Sequence, residues 1–262
     1  MQNHPINRSL SVTLDGELLS FSGRMRLRGK DELSLFPALF TLDLWNLPEE
    51  MVLRLSRCRN IAVSHMVACL VSGRVWDVFR HTDQDGVLTT VAISLGLELW
   101  ESVVSLIVPV GTTLSETVRQ ILAASGTGIC LLADPDDNPV SARPQSFFGR
   151  ASECIATVLS AISAREMLTP SGLMIVLPDG LTEAVYISEA DLTDVAAFTG
   201  GSQHGSPKLM ILQAAVSGWR PGQTVEVEYK EIRARGIVTE RSVDADTGYG
   251  AWKCELLVEV IT

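Results

Sequence analysis

Short runs in which apolar and polar residues alternate recur along most of this 262-residue chain. The alternation is clear at residues 10–14, near the start, and at residues 225–229, near the end. A period of two predicts β-strands that bury one face. Asp15-Gly16 and Pro221-Gly222 supply turn residues beside these runs, since glycine accepts a positive φ and proline presets φ. Both ends of the chain therefore predict antiparallel strands joined by tight turns.

Further strand-like runs fill the first hundred residues, with Gly73 and Asp85-Gly86 between them. They are residues 40–47, 52–56, 60–64, 66–78 and 87–97. Pro48-Glu49-Glu50 predicts a short helical turn, because proline and acidic residues favour a helix start. Many short strands at hairpin spacing indicate a β-barrel or sandwich. We place this first β-barrel domain at residues 1–110.

In the middle of the chain the spacing of apolar residues changes to that of a helix. Thr113 and Glu116 have the spacing of a capping box, which predicts a helix that ends at Ser125-Gly126. A second helix is predicted for Ala151–Arg165, where apolar residues again share one face. Strands are predicted at residues 129–132 and 172–177. These elements form a small α+β insert domain, residues 111–187.

The rest of the chain returns to strand patterns. Residues 188–207 are rich in Gly, Ser and Thr and are predicted to form a linker. Residues 208–262 form a closing β-module, with a polar hairpin tip at Asp246–Gly250. The predicted fold class is therefore mainly β with an α+β insert, in which two β-barrel or sandwich modules flank a small α+β domain.

Charge narrows the range of functions. The formal net charge is -10, and 46% of the residues are hydrophobic. This composition is typical of a folded globular protein. Affinity for nucleic-acid phosphates comes from Lys and Arg, so an acidic chain is a poor candidate for wrapping nucleic acid.

The five cysteines are scattered, and no pair has Cys-x-x-Cys spacing. An odd, dispersed set argues against a disulfide framework and favours free thiols in a reducing cytoplasm. The longest apolar run, residues 103–110, is too short to span a bilayer. The sequence therefore predicts no membrane insertion.

Four cations alternate with other residues in one run. They are Arg24, Arg26, Arg28 and Lys30. In a strand this spacing puts all four on one face. The run is either a subunit-interface stripe that meets acidic residues of a neighbour, or a solvated face or an edge strand protected by charge.

Motifs for catalysis and metal binding are missing from the sequence. His4, His65, His81 and His204 lack metal-ligand spacing, and Gly126-Thr-Gly128 follows a helix, whereas a phosphate loop must precede one. No Gly-x-Ser-x-Gly occurs. The sequence predicts no catalytic residue, no cofactor and no metal site.

Several segments together resemble phage baseplate hub proteins, also called tail hub proteins. The matching segments are Phe40–Glu50, Val71–Arg80, Asp85–Ser94, Gly111–Leu122 and the closing residues from Pro221 to Val258. They follow the family's order of a β-domain, an α+β insert and a completing β-domain. The family's glycine- and tyrosine-bearing phrase is absent, and residues 61–67 stand in its place. The resemblance spans roughly the whole chain and lies in the order of the elements more than in identical residues.

This resemblance implies two tail-tube-like β-modules in each chain and a homotrimer with pseudo-sixfold symmetry. Such a hub joins the sixfold tail tube to the threefold central spike in a phage tail or tail-like injection particle. The implied partners are the tail tube protein, the central spike protein and baseplate wedge proteins, with genomic DNA or a tape measure passing through the lumen without specific binding. The implied location is the virion tail baseplate, after assembly in the host cytoplasm.

Two alternatives remain open. A hexameric tail-tube initiator or adaptor would share the β-domain. A soluble hydrolase would instead require a deep pocket with titratable groups whose pKa is shifted.

Overall fold

The computed structural model describes residues 8–169, 172–180, 183–199 and 208–261. The amino-terminal module contains β1 (Ser11–Leu14), β2 (Glu17–Leu18), β3 (Met25–Glu32), β4 (Ala38–Trp45), α1 (Glu49–Arg57), β5 (Asn60–His65), β6 (Ala68–Asp83) and β7 (Gly86–Leu95). The middle contains α2 (Leu97–Glu101), β8 (Val103–Val108), α3 (Leu114–Ser125), β9 (Gln145–Arg150), α4 (Ala151–Ser160), β10 (Arg165–Thr169) and β11 (Gly172–Val176).

The carboxy-terminal module follows. It contains β12 (Ala184–Ile187), a 3-10 turn (Glu189–Asp191), β13 (Leu192–Thr199), β14 (Lys208–Ala214), β15 (Thr224–Tyr229), β16 (Ile232–Asp246) and β17 (Trp252–Ile261). Strands therefore dominate both ends of the chain and helices cluster in the middle, which confirms the predicted class of a mainly β protein with an α+β insert. No helix in the described ranges is long and apolar enough to cross a membrane.

Local predictions succeed where caps and periodicity agree. Helix α3 begins after Thr113, whose Oγ1 accepts the Glu116 amide at 3.3 Å, and ends at Gly126 with φ +67°. The predicted second helix begins at Ala151 but ends at Ser160 rather than Arg165. Ser163 has φ +56°, a conformation that a continuing helix does not allow.

The strand predicted at residues 52–56 is wrong. These residues belong to helix α1, which follows Pro48 and begins with two glutamates. Met51, Val52 and Leu55 pack against the main core at helical spacing. Arg54 and Arg57 lie in the last turn, where cations complement the helix dipole.

Most strands form one large sheet. Its order is β13-β14-β17-β16-β3-β4-β7-β6-β5-β1-β2, with β12 and β15 branching from β16. The path has two different ends in the described ranges, so the predicted barrels are not closed. The two modules are joined by the pairing of β16 with β3. This pairing occupies a strand edge in each module that closure of a separate barrel would need.

The two modules repeat one topology. The first four-stranded unit is β3-β4-β7-β6, and the second is β13-β14-β17-β16. The strands β5 and β15 pair with the first halves of β6 and β16 respectively. A glycine lies at the equivalent point of each long strand, because a Cβ on Gly73 would lie 2.4 Å from the Ser94 oxygen and one on Gly236 2.6 Å from the Glu259 oxygen.

Both modules share one hydrophobic core, to which strands of each contribute. A second core joins α2, β8, α3, β9, α4 and β11. This second core already includes Leu99 and Val104, whereas we predicted that the insert begins at residue 111. Strand β13 lies within the segment predicted as a linker, and residues 200–207 of that segment lie outside the described ranges.

Candidate functional site

The predicted cation stripe lies on strand β3 and just before it. Met25 and Leu27 are buried against the core, while Arg24, Arg26 and Arg28 lie on the opposite face, as alternation requires. Strand β3 lies between β16 and β4. The alternative of a charge-protected edge strand is therefore wrong.

Each cation of the stripe contacts a carboxylate of the same chain. The pairs are Arg24 with Asp246 (2.8 Å) and Asp85 (2.9 Å), Arg26 with Asp244 (2.9 Å), Arg28 with Asp43 (2.8 Å), and Lys30 with Glu240 (2.6 Å) and Glu32 (3.8 Å). We call these ten residues the charge ladder. It joins β16, β3, β4 and the β6–β7 turn on the face that does not pack on the core. Six carboxylates face four cations, so the ladder has an excess of negative charge.

Arg24 contacts two carboxylates and an aromatic ring. Its guanidinium donates to both oxygens of Asp246, at 3.1 and 2.8 Å, and stacks 4.2 Å from the centroid of the Trp45 ring. Asp246 is fully buried and also accepts the Gly248 amide at 2.7 Å. Arg24 thus links the ends of both long hairpins.

These contacts shift the pKa values of the ladder. The hydrogen bond to Asp246 raises the pKa of Arg24, and the hydrogen bond to Glu240 raises that of Lys30. Burial raises the pKa of Asp246, but hydrogen bonds from Arg24 and the Gly248 amide outweigh burial and leave that pKa below its usual value. Arg24, Lys30 and Asp246 are therefore held in their charged forms at neutral pH.

Replacing Asp246 by asparagine is expected to lower the free energy of unfolding by about 1.5–3 kcal/mol at pH 7, because a buried charge-assisted pair is lost. The folded-state pKa of Asp246 is lowered, so its contribution is complete above the unfolded pKa of about 3.9 and disappears as pH falls through the folded-state pKa. Urea unfolding from pH 7 down to pH 2 should show parent and variant converging in acid.

The matched control is Asp85→Asn, which removes the other carboxylate on Arg24. Asp85 is 62% exposed, so we expect a loss below about 1 kcal/mol. An Asp246→Asn deficit that stayed constant down to pH 2 would show that the charge of Asp246 is not what stabilises the fold.

The described residues contain no group of three or more His, Cys, Asp or Glu side chains that could hold a metal ion. His65 packs edge-on against Trp252, with ring centroids 5.1 Å apart. His81 is exposed on β6, and His4 and His204 lie outside the described ranges. A groove of about 590 Å³ lies in the insert, and Arg143 is the only charged side chain among the described residues that line it.

No protein-family model matches the sequence, and no curated protein matches it either. Solved structures do. The tail protein from Neisseria meningitidis MC58 superposes with a TM-score of 0.70 at 12% identity, over 95% of this chain and 95% of that one. The chain has the fold of a phage tail protein. The predicted resemblance to tail proteins is thereby confirmed at the level of fold.

Two further structures share this tail-protein fold. The 43 kDa tail protein of prophage MuSo2 from Shewanella oneidensis has a TM-score of 0.65 at 10% identity, over 96% of this chain and 98% of that one. The E. coli c3393 protein, a type VI secretion component with structural similarity to T4 tail proteins gp27 and gp5, has a TM-score of 0.69 at 12% identity. The match covers 96% of this chain and 77% of that one.

Proposed function

We propose that this chain is a structural baseplate hub of a phage tail or tail-like injection particle. The observation that carries the proposal is the duplicated four-stranded unit in one continuous sheet. Three chains with two equivalent units each present six, which fits a part that joins a sixfold tail tube to a threefold central spike. The shared fold with tail proteins supports this role.

In this role the chain forms a homotrimer that contacts the tail tube protein, the central spike protein and baseplate wedge proteins. Its place is the tail baseplate of the virion, after assembly in the host cytoplasm. The chain binds these partners and connects a sixfold part to a threefold part, without catalytic turnover. We assign it no cofactor.

The charge ladder suits the wall of a channel. It lies on the face of the sheet opposite the core, and each of its cations is already paired with a carboxylate. Free Lys and Arg groups are what bind phosphates, so a ladder with surplus carboxylates gives DNA little to hold. Genomic DNA or a tape measure would pass through without specific binding. The hypothesis that the stripe meets acidic residues of a neighbouring subunit stays an untested prediction, and within the chain each of the four cations already has a carboxylate partner.

The duplication also favours the trimer over a hexameric tail-tube initiator or adaptor, which would need only one unit per chain.

The groove in the insert does not favour the hydrolase alternative. Its described lining carries no carboxylate, imidazole or thiol that could act as acid, base or nucleophile.

Light scattering on the purified chain over a range of concentrations tests the proposal. We expect a species with three times the 28.4 kDa mass of one chain. A hexamer would favour the initiator or adaptor. A chain that stays monomeric at every concentration would overturn the proposed self-assembling trimer.

A further inference from the structure

The strand order leaves two long edges of the main sheet without a strand partner in the described part of the chain. Residues 77–83 of β6 pair with β7 on one side only, because β5 pairs with the earlier half of β6. Strand β13 pairs only with β14 among the strands that the structure describes. An open edge presents unpaired N–H and C=O groups that can add another strand.

The internal repeat shows which strand of the β16–β3 junction each open edge corresponds to. The second half of β16, residues 240–246, pairs with β3 and joins the two modules within one chain. In the repeat, β6 is the counterpart of β16, and β13 is the counterpart of β3. The two open edges are therefore the two halves of a second junction of the same kind, split between the ends of one chain.

One row of cross-strand partners in each module fixes the alignment. In the first module the row is Arg28, Thr41, Ala92 and Asp77. In the second module the row is Ala196, Ile211, Leu257 and Glu240. Within the chain, the residue four positions after Glu240 is Asp244, which faces Arg28. The residue four positions after Asp77 is His81, which by the same rule faces Ala196 of another copy.

The directions of two amides provide an independent check. The Val78 amide donates to the Asp77 carboxylate at 2.7 Å, and the Val195 amide donates to the Asp194 carboxylate at 2.9 Å. Both amides therefore point out of the sheet edge. Amide direction alternates along a strand, so Thr82 also points outward. The derived register sets Thr82 opposite Val195, so the two outward amides face one another, as a hydrogen-bonded pair requires. A shift of one residue would break this agreement.

We propose that β6 of one copy pairs antiparallel with β13 of the next copy, with His81 opposite Ala196 and Thr82 opposite Val195. This inference rests on the proposed homotrimeric hub and specifies the contact between its subunits. The pairing is head-to-tail, so three copies can close into a ring in which these two edges are both covered. In the free chain, Asp77 and Asp194 cap exposed amides and discourage random strand addition. Both side chains turn aside when the copies join.

Disulfide cross-linking tests the register. His81 and Ala196 are both exposed, and the register makes them a non-hydrogen-bonded pair with Cα atoms about 4.5 Å apart, a separation that a disulfide tolerates. The variant His81→Cys/Ala196→Cys is made with Cys130→Ser, since Cys130 is an exposed native thiol. Cys254 is buried, and burial raises the pKa of its thiol to about 11, so it stays protonated and does not compete.

After mild oxidation we expect reductant-sensitive bands at two and three times the single-chain mass. The matched control is Arg80→Cys/Ala196→Cys, which moves one thiol to the other face of β6 and should give no such bands. If light scattering shows a trimer but the His81/Ala196 pair cross-links no better than the control, the strand pairing is wrong and the hub proposal survives. A chain that is monomeric and does not cross-link overturns both.

Discussion

Replacing Arg241 by alanine is expected to lower the free energy of unfolding by about 3–5 kcal/mol, because the change leaves a buried carboxylate without its partner. The Arg241 side chain is fully buried, and its Nε and Nη2 donate to the two oxygens of Asp31 at 2.8 and 2.7 Å. It also donates to the carbonyls of Trp219 (3.0 Å) and Leu70 (2.8 Å). One guanidinium thus ties together β16, β3, β6 and the loop before β15. Urea unfolding measured by circular dichroism would give the loss.

The matched control lies on the same strand. Arg233 pairs with Glu228 at the surface and is 81% exposed, so Arg233→Ala should cost less than about 1 kcal/mol. Equal losses for the two variants would show that the junction between the modules does not depend on the Arg241–Asp31 pair. Because Arg241 and Asp31 face one another across the β16–β3 pairing, the loss should also loosen the contact between modules.

Local patterns predicted many of the elements. Alternation at residues 225–229 gives β15, and the cap and periodicity near Thr113 give α3. The start of α1 was predicted as a helical turn at Pro48-Glu49-Glu50, but its continuation at residues 52–56 was taken for a strand because its apolar residues stand close together. Only packing against the core distinguishes the two, and packing is not visible in a short window.

Contacts between distant residues were beyond prediction from the pattern. Strand periodicity placed Arg24 and Arg26 on one face, but their partners Asp246 and Asp244 lie 222 and 218 residues away. Nothing local indicates that β3 pairs with β16. The cations were therefore recognised as a group, and the hypothesis that a neighbour supplies their counter-charges remains an untested prediction.

A signal for the duplication is present in the sequence. Gly73-Arg-Val75 and Gly236-Ile-Val238 share a glycine and a valine two residues later, and each triplet precedes an irregularity in a long strand. Each glycine is required because the neighbouring strand's carbonyl approaches too closely for a side chain. Aligning these two triplets matches β6 with β16, in agreement with the strand order of the sheet. The resemblance to hub proteins implied a duplication, but these residues locate it.

Replacing Phe40 by alanine is expected to lower the free energy of unfolding by about 3–5 kcal/mol, the usual cost of removing a buried aromatic ring. Phe40 is fully buried and faces Gly29 across the β3–β4 pairing. A Cβ on Gly29 would lie 2.3 Å from the ring, so the ring fills the space that the missing side chain leaves. The Arg241 guanidinium lies 5.8 Å from the ring centroid. Thermal or urea unfolding would measure the loss.

Leu39→Ala is the matched control, since Leu39 precedes Phe40 on β4 and is 57% exposed on the other face. We expect a change within about 0.5 kcal/mol. In the second module Met210 occupies the position equivalent to Phe40, is nearly fully buried and pairs in register with Ala197 across β13–β14. Met210→Ala should therefore cost about 2–5 kcal/mol. If Phe40→Ala were costly and Met210→Ala neutral, the two modules would share a topology without sharing the packing that holds their strands together, and the proposed equivalence of their edges would lose its physical basis.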